Sequence, residues 1–185
     1  MVMPVVVPRY TIQDLDSFPD DGYRYELLDG VLLVTPRPVP LHDRVVSRLF
    51  GVLHTYLPSG VANIFTGGAV EIEPNLHLEP DLLVVPSDQP AGGIDAETRW
   101  TSIRDWWLAV EVSGHGSKMY DRDYKTPAYI SLGVREVWRV DLMEQCVYVT
   151  RPGQTIPKRQ EGEFEWRAPG LEHALVTDVR SLFDV

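Results

Sequence analysis

The sequence predicts a mixed α/β or α+β domain, in which a mixed central β-sheet is flanked by helices. Two short and nearly continuous apolar runs, Asp81–Val85 and Trp107–Val112, are typical of central strands that are buried on both faces. A third segment, His42–Leu57, carries apolar residues at helical spacing and is followed by Pro58. Strand-like segments outnumber helical ones along the chain, so we expect a sheet core covered by a few helices.

The N-terminal part predicts a short helix and then a hairpin. Thr11–Asp14 matches a capping-box pattern with Asp in place of the more usual Glu, and this helix should end before Pro19. Tyr23–Leu28 and Val31–Thr35 then flank an Asp-Gly pair, which is a strong signal for a two-residue hairpin turn. Side-chain alternation along the first strand places Glu26 on one face of the strand, and its neighbours Tyr25 and Leu27 on the opposite face.

Further strand-like segments occupy the middle and the C-terminal half. They form two groups separated by short turns: Val61–Thr66 with Ala69–Glu73, and Arg135–Val140 with Gln145–Thr150. The tail from Arg151 onward holds a polar stretch, and Val179–Phe183 predicts a final short strand or helix. No segment repeats, and the length of 185 residues favours a single domain, 1–185, around one core.

Cysteine usage and hydropathy bear on the compartment. The chain has one cysteine, Cys146, which excludes an intrachain disulfide and indicates a reducing compartment. No apolar run approaches the ~20 residues that a membrane-spanning helix needs. We therefore expect a cytoplasmic protein with no membrane partner.

The charge balance argues against an ordinary DNA-binding surface. Lys and Arg number 17 against 27 Asp and Glu, which gives a formal net charge of −10. Proteins that bind DNA usually present a basic face, because neutralised phosphates supply much of the affinity. Positive charge must therefore be concentrated locally, or bound cations must offset the acidity, or nucleic acid is not the partner.

Two carboxylates stand where a buried strand favours none. Asp81 opens one apolar run, and Glu111 lies inside the other. A buried carboxylate without a partner is costly, so each must be paired with a base, protonated or bound to a metal. From composition alone, a salt bridge or a solvent-facing strand edge is the favoured explanation, and a functional site is the alternative because buried charges often carry function.

Five ordered segments resemble a known family: Tyr25–Gly30, Glu79–Val85, Val110–Ser113, Tyr120–Lys125 and Gly133–Asp141. The family is a bacterial domain of unknown function described as "putative restriction endonuclease", and it is placed in the PD-(D/E)XK nuclease superfamily. The ordered match runs over roughly Tyr10–Thr150. It implies a restriction-endonuclease-like fold and a metal-dependent hydrolysis of phosphodiester bonds.

The resemblance also implies site residues. Asp81 would be the Asp of the Pro-Asp pair, Glu111 the second acid, and Glu26 a further acid from the first hairpin. These three would be the metal ligands, and Lys125 would be a migrated catalytic lysine. Hard cations such as Mg²⁺ or Mn²⁺ suit carboxylate oxygens, activate water and stabilise charge on the reacting phosphate.

The chain departs from the superfamily pattern beside Glu111. Ser113 stands where the motif has lysine, and Lys125 lies farther along the chain. Thr126-Pro127 favours the start of a helix there, which would leave Lys125 just outside it. In that case Lys118 is the substitute.

Other candidates have weaker support. His42 and His115 are the histidines that we expect near the site, as an acid or base, although a surface role is the simpler interpretation. Several bases recur nearby and would form either a solvated face or a local phosphate-binding patch: Arg37, Arg44, Arg48, Lys118, Arg122 and Lys125.

Three functions therefore remain open. The first is a metal-dependent endonuclease whose partner is nucleic acid, and DNA in particular. The second is a catalytically inactive nuclease-fold protein that binds nucleic acid, and the third is a protein-interaction module whose acidic surface meets a basic partner. The resemblance also implies a homodimer, because two-fold dimers are common among such nucleases.

Overall fold

The computed structural model describes residues 8–88, 100–101, 103 and 105–184. Its helices are α1 (Ile12–Leu15), α2 (Pro40–Tyr56), α3 (Lys118–Tyr120) and α4 (Thr126–Ser131), with a π-helical turn at Asp121–Lys125 and a 3₁₀ turn at Val179–Leu182. Its strands are β1 (Arg24–Leu28), β2 (Val31–Thr35), β3 (Ala62–Thr66), β4 (Val70–Ile72), β5 (Leu76–Leu78), β6 (Leu82–Pro86), β7 (Leu108–Ser113), β8 (Val137–Asp141), β9 (Cys146–Thr150), β10 (Lys158–Gln160), β11 (Glu163–Trp166) and β12 (Leu175–Asp178).

The strands form two main sheets. A six-stranded sheet has the order β10-β9-β8-β7-β6-β3 and contains one parallel pair, β7 with β8. A four-stranded antiparallel sheet has the order β2-β1-β5-β4. β11 and β12 make a separate hairpin. The predicted mixed central sheet with flanking helices is therefore confirmed.

The hairpin between β1 and β2 turns as its sequence predicts. Asp29 has a φ of 50° and Gly30 a φ of 77°, so both turn residues lie in the left-handed region that a two-residue type I′ turn requires. The register pairs Glu26 with Leu33 across the hairpin. The turn therefore fixes which residues of β1 meet the neighbouring elements.

The central strands are buried on both faces. On one face, Leu82 and Leu108 pack in a cluster with Leu49 of α2. On the other, Leu83 and Ala109 pack in a second cluster that includes β4, β5 and α4. The near-continuous apolar sequences of β6 and β7 follow from this double coverage.

Some elements differ from the sequence-based expectation. The segments predicted on either side of the Gly67-Gly68 turn both form, but β3 pairs with β6 while β4 pairs with β5. Strand β5 and the three strands of the polar tail, β10 to β12, were not predicted. Such strands have three or four residues and exist only through their pairing partners, which local sequence does not reveal.

The segment that carries Lys125 is helical on both sides of that residue. α4 begins at Thr126 with Pro127 in its first turn, as predicted, but Lys125 is not outside the helical structure, because the π-helical turn and α3 precede it directly. Pro127 has no N–H, and its ring obstructs the carbonyl four residues earlier. The wider turn relieves this conflict, and the Thr126 N–H bonds the carbonyl of Asp121, five residues back.

Among the described residues, no helix has both the length and the apolar character needed to cross a bilayer.

Candidate active site

Asp81 and Glu111 lie on neighbouring strands of the six-stranded sheet. Asp81 directly precedes β6, and its backbone N–H donates to the carbonyl of Val110 at 3.1 Å. The N–H of Val112 donates to Oδ2 of Asp81 at 2.8 Å. The carboxylate of Asp81 thus takes the place of a backbone acceptor at the end of the β6–β7 ladder. These bonds hold Asp81 close to the backbone of Glu111.

Lys125 joins three elements at one point. Its Nζ lies 2.8 Å from Oε1 of Glu26 in β1, 2.9 Å from Oε1 of Glu111 in β7, and 4.0 Å from Oδ1 of Asp121 in its own π-helical turn. The ammonium also donates to the carbonyl of Glu79 at 3.3 Å. Asp121 and Lys125 are four residues apart in this helical segment and lie on the same buried side.

The ammonium of Lys125 is saturated by these bonds. Lysine has three N–H donors. Glu26, Glu111 and the Glu79 carbonyl supply one acceptor each, and the side chain is 1% exposed. Although burial favours the neutral amine, the charges of Glu111 and Glu26 raise the pKa of Lys125 above its ordinary value. Lys125 is therefore a fixed internal cation.

Glu111 has a second donor on the same oxygen. Tyr129 in α4 donates its hydroxyl to Oε1 at 2.7 Å. Burial raises the pKa of Glu111 well above its ordinary value, the Lys125 ammonium opposes this, and the charges of Asp121 and Asp81 add to it. The same burial, together with the charge of Glu111, raises the pKa of the Tyr129 phenol. No described residue bonds Oε2 of Glu111.

Asp81 is held by two bases. Arg24 of β1 lies 3.2 Å from Oδ1, and Nε2 of His42 in α2 lies 3.1 Å from Oδ2. Burial disfavours the charge of Asp81, but the hydrogen bond and charge of His42, with the charge of Arg24, lower the pKa of Asp81 to about 2. Burial alone would lower the pKa of His42. The bonds of His42 to Asp81 and Asp43 outweigh this effect, so the pKa of His42 is raised. Asp81 is therefore ionised at neutral pH.

Ser113 is the residue that the resemblance places at the lysine position of the nuclease motif. Its hydroxyl donates to Oδ2 of Asp121 at 2.9 Å, and both residues are buried. Burial raises the pKa of Asp121, which Lys125 and the hydroxyls of Ser113 and Ser117 oppose. In this chain Ser113 holds Asp121, the first residue of the π-helical turn, and supplies no ammonium.

A further polar chain leads outward from Arg24. Nε of Arg24 lies 3.4 Å from Oε2 of Glu79, whose Oε1 lies 3.1 Å from Nε2 of His77. Nδ1 of His77 is 2.7 Å from Oε1 of Glu71. The backbone N–H of Glu79 also donates to Oε1 of Glu26 at 2.7 Å, so this segment supports both Asp81 and Glu26.

These residues line one cavity of about 530 Å³. Its polar side is formed by Glu26, Asp81, Glu111, Asp121 and Lys125, with Arg24, Arg37, His42 and His115. Apolar residues complete its lining: Pro36, Pro38, Val39, Leu41, Leu142 and Met143. The volume lies within the ~300–1,000 Å³ typical of ligand sites.

The donor set suits a hard divalent cation only in part. Within the described stretches of the chain, no three His, Cys, Asp or Glu residues are grouped so as to hold a metal ion. Lys125 lies between Glu26 and Glu111, and the bonds of Asp81 go to Arg24, His42 and a backbone N–H. Mg²⁺, however, often uses one or two carboxylates and keeps several waters. Asp81 and Glu111 fit that smaller requirement by their chemistry, and the metal roles of all three predicted acids stay predictions.

The remaining candidates divide by position. His42 contacts Asp81, and His115 lines the cavity, so both histidines lie at the site. Lys118 does not: its ammonium pairs with Asp141, 2.9 Å away, and with Glu144. Of the other bases, Arg37 lines the cavity, while Arg122 pairs with its neighbour Asp123.

The sequence did not identify four residues that contact the acids or Lys125 of the candidate site: Arg24, Glu79, Asp121 and Tyr129. Asp121 and Lys125 are four residues apart, and this spacing was the available signal for a shared helical face. Tyr129 repeats that spacing. Arg24 lies two residues before Glu26 on the same strand and could have been found by alternation.

Comparison with known proteins places the chain in a family. The family model Uma2, described as "Putative restriction endonuclease", matches residues 12–180. The crystal structure of "a putative nuclease belonging to DUF820" from Anabaena variabilis ATCC 29413 shares the fold, with a TM-score of 0.68 and 18% identity over 94% of this chain and 97% of that one. Curated proteins give no match. Since the family model spans nearly the whole chain, the protein belongs to the Uma2 family, which confirms the resemblance inferred from its sequence.

Proposed function

We propose that the protein is a metal-dependent endonuclease that hydrolyses phosphodiester bonds in DNA. The observation that carries the proposal is the convergence of Asp81, Glu111 and Lys125 from three separate elements on one cavity wall. Buried acids that share a cavity with a fixed cation, and whose pKa values are displaced in opposite directions, are typical of catalytic sites. Membership of the Uma2 family supports a nuclease at the coarser level.

Each residue has a distinct part in this proposal. Asp81 and Glu111 would hold Mg²⁺ or Mn²⁺, with Glu26 as the additional acid. The ion would supply an activated water and charge stabilisation at the phosphate. Asp81, with a pKa of about 2, stays a carboxylate at the pH of the reaction. Oε2 of Glu111 would be the oxygen that meets the ion, whose charge would offset the burial that raises the pKa of this residue.

Lys125 acts through its field. Its three protons are engaged by Glu26, Glu111 and Glu79, so it has none to donate to a substrate without giving up an internal bond. A fixed positive charge in a buried site still stabilises negative charge that develops on a phosphate nearby. Because Lys125 also clamps the two glutamates, it holds them in one arrangement before substrate enters.

Cleavage of plasmid and oligonucleotide DNA with added Mg²⁺ or Mn²⁺ tests the proposal. We expect cleavage that is lost in a chelator and falls by about a thousandfold in Glu111→Gln and in Asp81→Asn, since a comparable loss follows the removal of one stabilising group in other enzymes. The matched control is Glu172→Gln, an exposed acid that should keep the wild-type rate. Cleavage that survives in both site variants would contradict the assignment.

A second candidate, a nuclease-fold module that binds nucleic acid without turnover, is favoured by the engagement of Lys125 with Glu26 and Glu111. Thermal melts separate the two. A cation that binds only the folded state raises the midpoint. A raised midpoint in Mn²⁺ without cleavage would support the module, and sedimentation of the same samples would test the expected homodimer.

A further inference from the structure

A second cavity adjoins the one that holds the acids. It measures about 490 Å³ and shares three lining residues with the first: Arg24, Arg37 and Pro38. The first cavity has a volume of about 530 Å³. Each volume falls within the ~300–1,000 Å³ range of sites that enclose one small ligand. The two cavities therefore form a short track with Arg37 at the junction.

Arg37 is the basic side chain at this junction that remains available to bind an anion. Its Nε donates to the carbonyl of Gly22 at 3.3 Å, and the side chain is exposed. No described carboxylate forms an ion pair with it, whereas Arg24 and Lys125 are both paired with acids. Gly22 has a φ of 84°, and a Cβ there would collide with the guanidinium. The backbone thus positions Arg37 while leaving its terminal N–H groups free for an anion.

The residues that line the two cavities suit the nucleobases of a nucleic acid better than its phosphates. The second cavity contains Tyr23, which is 54% exposed, and the stacked pair Phe18 and Tyr25, whose ring centroids are 5.0 Å apart. Its acids repel a phosphate, and two exposed ones, Asp16 and Asp20, can accept hydrogen bonds from a nucleobase. The first cavity has the apolar lining residues described above. Apolar and aromatic surfaces of this kind are what enclose a base removed from its stack.

The charge of the protein disfavours a duplex. Duplex binding requires many phosphate contacts along an extended basic surface. Here the net charge is −10, and most bases near the site are neutralised by acids, as for Lys118 with Asp141 and Arg122 with Asp123. Moreover, Asp81 and Glu111 are 7% and 1% exposed, so a phosphate must enter a cavity to approach them. An unpaired strand can enter, since its bases are free to separate.

We infer that the substrate is an unpaired stretch of nucleic acid, with the reacting phosphate and its nucleotide in the first cavity, the neighbouring base in the second cavity, and the phosphate between these two nucleotides at Arg37. This inference rests on the proposed nuclease function and names the substrate class of the same site. Bases in the second cavity gain contact with Tyr23, and the phosphate gains charge-assisted hydrogen bonds from Arg37. Specificity for unpaired strands follows because no stacking has to be broken on entry.

The test is binding, measured apart from cleavage. Glu111→Gln protein in Mg²⁺ is titrated into a fluorescein-labelled single-stranded oligonucleotide and into the matched duplex, and anisotropy gives the two dissociation constants. We expect at least tenfold tighter binding of the single strand. Adding Arg37→Gln should weaken that binding about tenfold and reduce its salt dependence by about 0.7 in the logarithmic slope. Tyr23→Ala should weaken it about fivefold to tenfold, as expected for loss of one stacked base.

Matched controls lie outside both cavities. Arg167→Gln removes an exposed arginine that follows β11, and Tyr124→Ala removes a tyrosine that is 42% exposed on the π-helical turn. Both should leave single-strand binding within twofold of the parent. Equal or tighter binding of the duplex, absence of binding to either probe, or effects of Arg37→Gln and Tyr23→Ala no larger than those of the controls would each overturn the inference. Cleavage of duplex DNA alone by the wild-type protein would overturn it while leaving the nuclease function intact.

Discussion

The two faces of β7 are equally buried and opposite in chemistry. All six residues of the strand are buried. Leu108, Val110 and Val112 join the apolar cluster beneath α2, whereas on the other face Ala109 is followed by Glu111 and Ser113. The apolar face stabilises the fold through burial alone. The polar face depends on hydrogen-bond and ion-pair partners from β1, the π-helical turn and α4. The apolar face can therefore form with the sheet, whereas the polar groups of the other face find their partners only after the whole domain has assembled.

Removal of the internal cation should have the largest effect on stability. In Lys125→Met, Glu26 and Glu111 lose their shared partner and remain buried. Breaking a buried ion pair by removing one member costs about 3–5 kcal/mol, and we expect a loss of that size in the free energy of unfolding at neutral pH, measured by urea denaturation. The loss should shrink as the pH falls, because protonation of Glu111 removes one of the stranded charges.

Lys158→Met provides the matched control, since Lys158 is exposed on β10. Its effect should stay within about 0.5 kcal/mol, as for most surface substitutions. An equal effect of the two lysine variants would show that the polar face of β7 does not depend on the cation, and the contrast between the faces would disappear.

A truncation on the apolar face should lower the free energy of unfolding somewhat less, and this loss should not depend on pH or on added Mg²⁺. Leu108 is fully buried against α2 and the neighbouring strands. Leu108→Ala should lower the free energy of unfolding by about 2–5 kcal/mol through lost burial and a residual cavity. The same denaturation series at several pH values and with Mg²⁺ should give one constant difference. A cost that varies with pH would break the distinction between the faces.

A smaller, pH-dependent effect is expected from Asp81. Its folded-state pKa of about 2 lies below the ordinary 3.8, so the folded protein binds this proton less readily than the unfolded chain. The resulting stability, about 2 kcal/mol, is fully present above roughly pH 4 and is lost as the pH falls towards 2. Asp81→Asn should therefore flatten the acid limb of the stability profile. An unaltered limb would contradict the ion pairs with Arg24 and His42.

Glu111 should show the opposite sign. Its pKa is raised in the folded state, so the folded protein retains this proton at pH values where the unfolded chain has released it, and stability declines as the pH rises above the ordinary 4.5. Glu111→Gln should remove that decline. Two acids on adjacent strands would then titrate the same fold in opposite directions.

The sequence was sufficient where a local signal specifies a local structure. The Asp-Gly turn, the amphipathic α2 and the two buried strands are encoded within a few residues each, and all of them form. Asp81 and Glu111 were identifiable for a related reason, since a charge inside an apolar strand conflicts with its surroundings. Such a conflict marks a residue whose partners lie elsewhere in the chain.

The missing parts are those that depend on distant pairing. β5 has only three residues and is held between β1 and β4. Spacing along the chain places Tyr129 on the helical face of Lys125 and Arg24 on the strand face of Glu26, but the contacts that these two side chains make with Glu111 and Asp81 depend on the docking of whole elements. The π-helical turn was missed because Thr126-Pro127 carries the signal for a helix start, and a proline signal alone does not distinguish a start from a widened turn within a continuing helix.

That widened turn has a consequence for how this protein tolerates changes in length. A π-helical turn contains one residue more than the α-helical turn it replaces, and each residue of an α-helix turns the chain by about 100°. Deleting a single residue between Asp121 and Lys125 would restore regular spacing but rotate the preceding turn by that angle. Asp121 would then leave the side on which it meets Ser113 and Lys125. Exposed positions of the turn such as Arg122 can vary freely in identity, yet the number of residues between these two charged groups is fixed.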